Sequence, residues 1–117
     1  MEDRGGLMKR LYFIINKDIQ MSSAKIATQV SHCTIEFILK NQNSKEFEEW
    51  YNNGKTQIKT ILGGKQALLE GLEDNYISIR DLGLTEIKSN SLTCICLGLM
   101  TRNEIKNNSK FKRLQLL

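Results

Sequence analysis

A chain of 117 residues, 40% hydrophobic and 26% charged, has the size and composition of one globular domain with a modest core. Its longest apolar run, Cys94 to Met100, is far too short to span a bilayer, and the N-terminus reads as carrying no signal peptide. A net charge of +4 permits a polyanionic partner without demanding one, and three cysteines without framework spacing read as reduced thiols of a cytoplasmic protein.

Residues 1–8 are expected to form a flexible N-terminal extension, since charges and Gly5-Gly6 precede any ordered pattern. Leu11-Tyr12-Phe13-Ile14-Ile15 reads as a central strand buried on both faces. Asn16-Lys17-Asp18 then leads to a helix predicted from about Ser23 to Leu39, with Ser22 or Ser23 as its cap. Ile26, Val30, Cys33 and Phe37 form its apolar stripe, with Ala27 and Ile38 beside them. Lys25, Gln29, His32 and Glu36 repeat that spacing one residue earlier, as a polar stripe about 100° around the wheel. A lysine in the first turn opposes the helix dipole, and becomes sensible if an anionic ligand docks there.

Asn41-Gln42-Asn43-Ser44 breaks that helix, and Phe47, Trp50 and Tyr51 mark a second, short one from about Ser44 to Tyr51. Asn52-Asn53-Gly54 turns the chain; Thr56 to Leu62 alternates as a strand, and Gly63-Gly64 is expected to break it. Lys65 to Glu73 is a third helix with Leu68, Leu69 and Leu72 inward, followed by a strand from Tyr76 to Arg80 that ends at Asp81-Leu82-Gly83. Ser89-Asn90-Ser91 is a turn before an apolar strand from Leu92 to Leu99. Thr101 is expected to cap a brief helix running to about Ser109, and Phe111 to Leu117 to trail as an extended tail. This order predicts an α/β single domain: a mixed four-stranded β-sheet with helices packed on its faces. Ligands favour the carboxyl ends of strands in such sheets. The loop before Lys25 and the segment Asp81-Leu82-Gly83 both follow such ends, so neighbouring strands would bring Lys25 and Asp81 into one cleft.

Lys25, Ala27, Gln29 and His32 give Lys-x-Ala-x-Gln-x-x-His; Asp81 to Ile87 gives Asp-Leu-Gly-Leu-Thr-Glu-Ile; Ser91-Leu92-Thr93 then enters the last apolar strand. In that order and spacing, over roughly Lys9 to Leu117, these segments resemble the type-II peptidyl-tRNA hydrolases, the archaeal and eukaryotic family. The sequence departs from the family pattern at Ala24, Thr28, Leu82, Ser89-Asn90 and the stretch Gly98 to Thr101, which bear on the cleft rim rather than its polar residues. The resemblance implies hydrolysis of the ester between a peptide, or an N-blocked amino acid, and the 3′ end of tRNA. It also implies a metal-free, cofactor-free homodimer. Lys25, Gln29, Asp81 and Thr85 are the candidate catalytic residues, with Ser23, His32, Gly83 and Ser91 as candidate substrate contacts.

The chemistry of these groups fits. Lys25 would give a cation to the oxyanion or a proton to the ribose oxygen, and Gln29 and Thr85 would orient water or the carbonyl. Asp81 would orient water, or deprotonate it if its pKa were raised. Which group is the base stays open. His32 lies a turn deeper than Lys25 and Gln29, so a structural histidine bonded to backbone is favoured over a base. Cys94 and Cys96 with one histidine lack the paired spacing of a zinc site and read, with Cys33, as core. Lysines and arginines such as Lys17, Lys65 and Arg113 read as a solvated face, some of it touching phosphates if tRNA is bound; no aromatic residues interleave with them. The alternative is a non-catalytic tRNA- or protein-binding module on the same fold, with a small-molecule esterase or amidase behind it.

Overall fold

A computed structural model of the chain describes residues 3–52, 57–83, 87–88 and 90–117. Strand β1 (Lys9–Asn16) holds the apolar run and divides it between two cores, as the two-residue period of a strand requires. Leu11, Phe13 and Ile15 join Cys33, Phe37, Phe47 and Trp50 beneath helices α1 (Ser23–Asn41) and α2 (Lys45–Asn52). Tyr12 and Ile14 face the other way, toward α3 (Gln66–Leu72), α4 (Arg102–Lys106) and the buried Phe111. The helices therefore cover both faces of the sheet, and β1 can be apolar at successive positions.

Strand β2 (Lys59–Gly64) pairs parallel to β1 on one side, and β4 (Leu92–Thr101) antiparallel on the other. Strand β3 (Ile77–Arg80) pairs antiparallel to β4. The sheet has five strands among the described residues, not the expected four, in the order β3-β4-β1-β2-β5. The extra strand, β5 (Gln115–Leu116), lies in the segment expected to trail as a tail. Phe111 is fully buried and turns the chain back, so that Leu116 pairs with Leu62 and Gln115 with Gly63. Two residues are too few for alternation to be legible, yet they cover an edge of β2 that would otherwise be open.

Gly63 and Gly64 close β2 rather than breaking it, paired with Ile15 and Asn16. A Cβ on Gly64 would lie 2.7 Å from Ile14 Cγ2 and 3.3 Å from Leu68 Cδ2, so glycine there lets α3 pack closely on the strand. The predicted cap of α4 is present: Thr101 Oγ1 accepts from Glu104 N at 3.0 Å, and the Glu104 carboxylate accepts from Thr101 N at 2.9 Å. Residues 53–56, where most of the turn expected at Asn52-Asn53-Gly54 falls, and residues 84–86 and 89 lie outside the described residues. No described helix is long and apolar enough to cross a membrane.

Because β1 and β3 both run antiparallel to β4, their carboxyl ends share one edge of the sheet. The sequence leads to the expectation that they are neighbours, but β4 lies between them. The buried Asn16 ties the end of β1 to the start of β4 by donating from Nδ2 to Leu92 O at 2.9 Å.

Candidate active site

Ser22 caps α1 by accepting from Lys25 N at 3.1 Å, which puts Lys25 in the first turn. The helix buries a different seam from the predicted stripe: Lys25, Gln29, Cys33 and Phe37 are inside. Ile26, Val30 and Ile38 are only half-buried, and Ala27, His32 and Glu36 are exposed. The same helical face serves two environments. Its C-terminal half, Cys33 and Phe37, meets the apolar core, whereas its N-terminal half lies over the sheet's carboxyl edge, where polar partners are in place.

Those partners make polar burial tolerable. Lys25, 8% exposed, donates from Nζ to Asp81 Oδ1 at 2.5 Å. Gln29, 1% exposed, reaches the same oxygen with Nε2 at 3.4 Å. Gly83 N donates to Asp81 Oδ2 at 2.6 Å, with Gly83 at φ +75°, a conformation suited to glycine. Thr93 Oγ1 donates to Gln29 Oε1 at 2.6 Å and also lies 3.2 Å from Ile79 O. Since a carboxylate only accepts, this fixes the Gln29 amide with its nitrogen toward Asp81 and its oxygen toward Thr93.

Asp81 follows β3, and its backbone is held in turn: Asp81 N donates to Ser91 O at 2.9 Å and Asn90 N to Asp81 O at 2.6 Å. Arg80 pairs with Leu92 and Ile79 with Cys94, so Thr93 is the extra residue of a slip in the β3–β4 ladder. Such a bulge re-aims a side chain, here the hydroxyl of Thr93 toward Gln29. The Lys25 ammonium, and secondarily the Gly83 amide, hold the Asp81 carboxyl below its ordinary value of 3.8 against the opposing effect of desolvation. Asp81 is therefore ionised at neutral pH and poorly suited to deprotonating water, so the orienting role is the one its environment favours.

Above this floor opens a cleft of ≈ 420 Å³. His32, Thr28, Glu36, Ile35, Arg80 and Leu82 form its walls and rim. His32 is exposed and, where a backbone-bonded structural histidine was expected, has no hydrogen-bond partner among the described residues. It lies one residue around the wheel from the buried Cys33, on the solvent side. Ser23 is exposed and lines no part of the cleft; Ser91 donates from Oγ to Lys88 O at 2.7 Å and shapes the turn. Thr85 lies outside the described residues. Thr93 was not among the residues predicted for the site. Its sequence signal was slight, one hydroxyl in an otherwise apolar strand. Among the described residues no three His, Cys, Asp or Glu side chains gather to hold a metal. Cys33, Cys94 and Cys96 are buried free thiols, and burial pushes Cys96 up to about 12.

A family model described as Peptidyl-tRNA hydrolase PTH2 matches residues 9–117, which carry the whole sheet and every residue of this floor. The chain belongs to the peptidyl-tRNA hydrolase PTH2 family. It is 34% identical over 93 residues to the peptidyl-tRNA hydrolase of Staphylothermus marinus, covering 73% of this chain and 77% of that one. Likeness to the peptidyl-tRNA hydrolase of Thermococcus onnurineus is 32% over 93 residues, 73% and 79% of the two chains. With the peptidyl-tRNA hydrolase of Thermoplasma acidophilum it is 26% over 119 residues, covering 92% of this chain and 100% of that one. Membership of the peptidyl-tRNA hydrolase family agrees with the resemblance read from Lys25, Gln29 and Asp81, makes the chain a carboxylic-ester hydrolase, and does not favour a non-catalytic module.

Proposed function

We propose that the chain cleaves the ester joining a peptide, or an N-blocked amino acid, to the 3′ ribose of tRNA. The observation that carries this reading is the buried Lys25–Asp81 pair, with Gln29 beside it, at the floor of an open cleft. Water adds to the ester carbonyl, and charge grows on the carbonyl oxygen. Of the three N–H bonds of the Lys25 ammonium, one is given to Asp81, which leaves two to face that oxyanion. Asp81, kept ionised, holds Lys25 in place and, with Gln29, orients the attacking water. When the carbon–oxygen bond to the ribose breaks, the leaving oxygen takes a proton from Lys25 on the floor or His32 on the wall, and the proton lost by the attacking water restores that donor. Thr85 is assigned here as a further orienting hydroxyl, and Gly83 acts by fixing Asp81.

The active form in this reading is a homodimer in the cytoplasm. The dimer is supported by Ile35 and Leu39, which lie one turn apart on α1 and are 54% and 61% exposed. The test of the function is incubation of the pure protein with N-acetyl-aminoacyl-tRNA in EDTA. Because Lys25 supplies the cation at the reacting oxygen, release of N-acetyl-amino acid is expected to continue under chelation. No release with or without added divalent ions would overturn the reading.

A further inference from the structure

A second charged feature lies on the same carboxyl edge of the sheet, away from the cleft. Lys17 follows β1, its N–H donating to Gly64 O at 2.8 Å, and its stem lies against Gly63, where a Cβ would sit 3.7 Å from Lys17 Cδ. Arg113 comes just before β5, which is antiparallel to β2, so it too stands at the carboxyl end of β2. Lys17 and Arg113 line one hollow of ≈ 460 Å³ together with Gly63 and the residues from Leu114 onward. Both are exposed, and neither has an ion-pair partner among the described residues. The adjacent acid, Asp18, is engaged elsewhere, accepting from Gln66 N at 2.8 Å. Two cations on one concave surface, without an ion-pair partner among the described residues, make a site for an anion.

We propose that this hollow takes a backbone phosphate of the RNA substrate, about four nucleotides from the ester. The inference rests on the peptidyl-tRNA hydrolase reading. Asp81 ends β3 and Gly63 lies on β2, three strand intervals away, about 14 Å at the spacing of paired strands. At ~3.4 Å per stacked nucleotide, that is a run of about four. No aromatic side chain lines the hollow among the described residues, so it reads phosphate rather than base and serves any tRNA alike.

The test compares the full chain with the double variant Lys17→Ala/Arg113→Ala. The control, Lys40→Ala/Lys45→Ala, lies at or just beyond the far end of α1. Binding of deacylated tRNA is measured across a salt series, and hydrolysis is measured on N-acetyl-aminoacyl esters of two- and eight-nucleotide RNAs. The wild type and the control should gain in kcat/KM as the RNA is lengthened. The double variant should lose that gain, bind tRNA about tenfold more weakly at physiological salt, and show a log–log salt slope shallower by about 0.7–0.9, as for one phosphate. Lys17→Arg/Arg113→Lys should restore both. A double variant with the wild-type slope and length gain would overturn the proposal while leaving the hydrolase reading intact. If the wild type cleaves neither ester, that reading fails, and the tRNA titration still decides whether the hollow binds RNA.

Discussion

Lys25 and Asp81 are each expensive to bury alone and tolerable together, so either substitution leaves a charged group without its partner. In the proposed mechanism the Lys25 ammonium faces the developing oxyanion and phosphate contacts elsewhere hold the substrate, so removing the ammonium is expected to lower kcat by about 10²–10³ with a small change in KM. Lys25→Met, which keeps the stem, separates this from loss of packing; steady-state kinetics on N-acetyl-aminoacyl-tRNA check it. His32→Ala should leave stability within about 0.5 kcal/mol, as for other exposed positions, and act on turnover or KM alone. Asp81 also makes a pH prediction. Its folded pKa lies below 3.8, so the stability it contributes is present above the unfolded value and lost as pH falls through the folded one. The urea midpoint difference between wild type and Asp81→Asn should therefore be constant from neutrality down to about pH 5 and shrink below about pH 3.8. A difference that widens on acidification would contradict the assigned pairing.

At the level of elements, glycines 64 and 71 make a matched pair. Gly64 ends β2 under α3, where a Cβ would meet Ile14 Cγ2 at 2.7 Å, whereas a Cβ on Gly71 in α3 would meet nothing within 4 Å. Gly64→Ala should cost about 1–3 kcal/mol through overpacking. Gly71→Ala should instead gain about 0.5–1 kcal/mol from helix propensity. Denaturant unfolding of the two variants checks both signs. The slip at Thr93 works on the same scale, because one unpaired residue in the β3–β4 ladder aims a hydroxyl at Gln29 that a regular strand would direct elsewhere. Helix α1 carries the other half of the site on the face that also packs the core, so the position of Lys25 is set by the packing of Cys33 and Phe37 two and three turns away.

For the whole molecule, the prediction concerns assembly. If Ile35 and Leu39 form a self-complementary interface, sedimentation at micromolar concentration should show a dimer, and Leu39→Lys should shift it to monomer. A wild-type monomer throughout that range would remove the dimer from the proposal. The hollow at Lys17 and Arg113 and the cleft at Lys25 and Asp81 share one edge of the sheet, so a single face carries both regions assigned to substrate.

Sequence alone determined the elements whose pattern is local. The five apolar residues of β1, a serine cap at Ser22 or Ser23, the cap at Thr101, and the alternation of β2 all reflect period, capping and burial rules that act within a few residues; the structure chooses Ser22. The ordered polar residues Lys25, Gln29 and Asp81 were legible as a family-like set for the same reason. The chain alone did not reveal which face of α1 goes inside, because Ile26 and Val30 outweigh Lys25 and Gln29 in hydrophobicity. Only the tertiary structure supplies Asp81 and Thr93 as partners that make the polar seam the buried one. Strand β5 is likewise a property of the edge it covers rather than of its own two residues. The depressed pKa of Asp81, which points to orienting rather than deprotonating water, arises from an ammonium 56 positions away in the chain and 2.5 Å away in space.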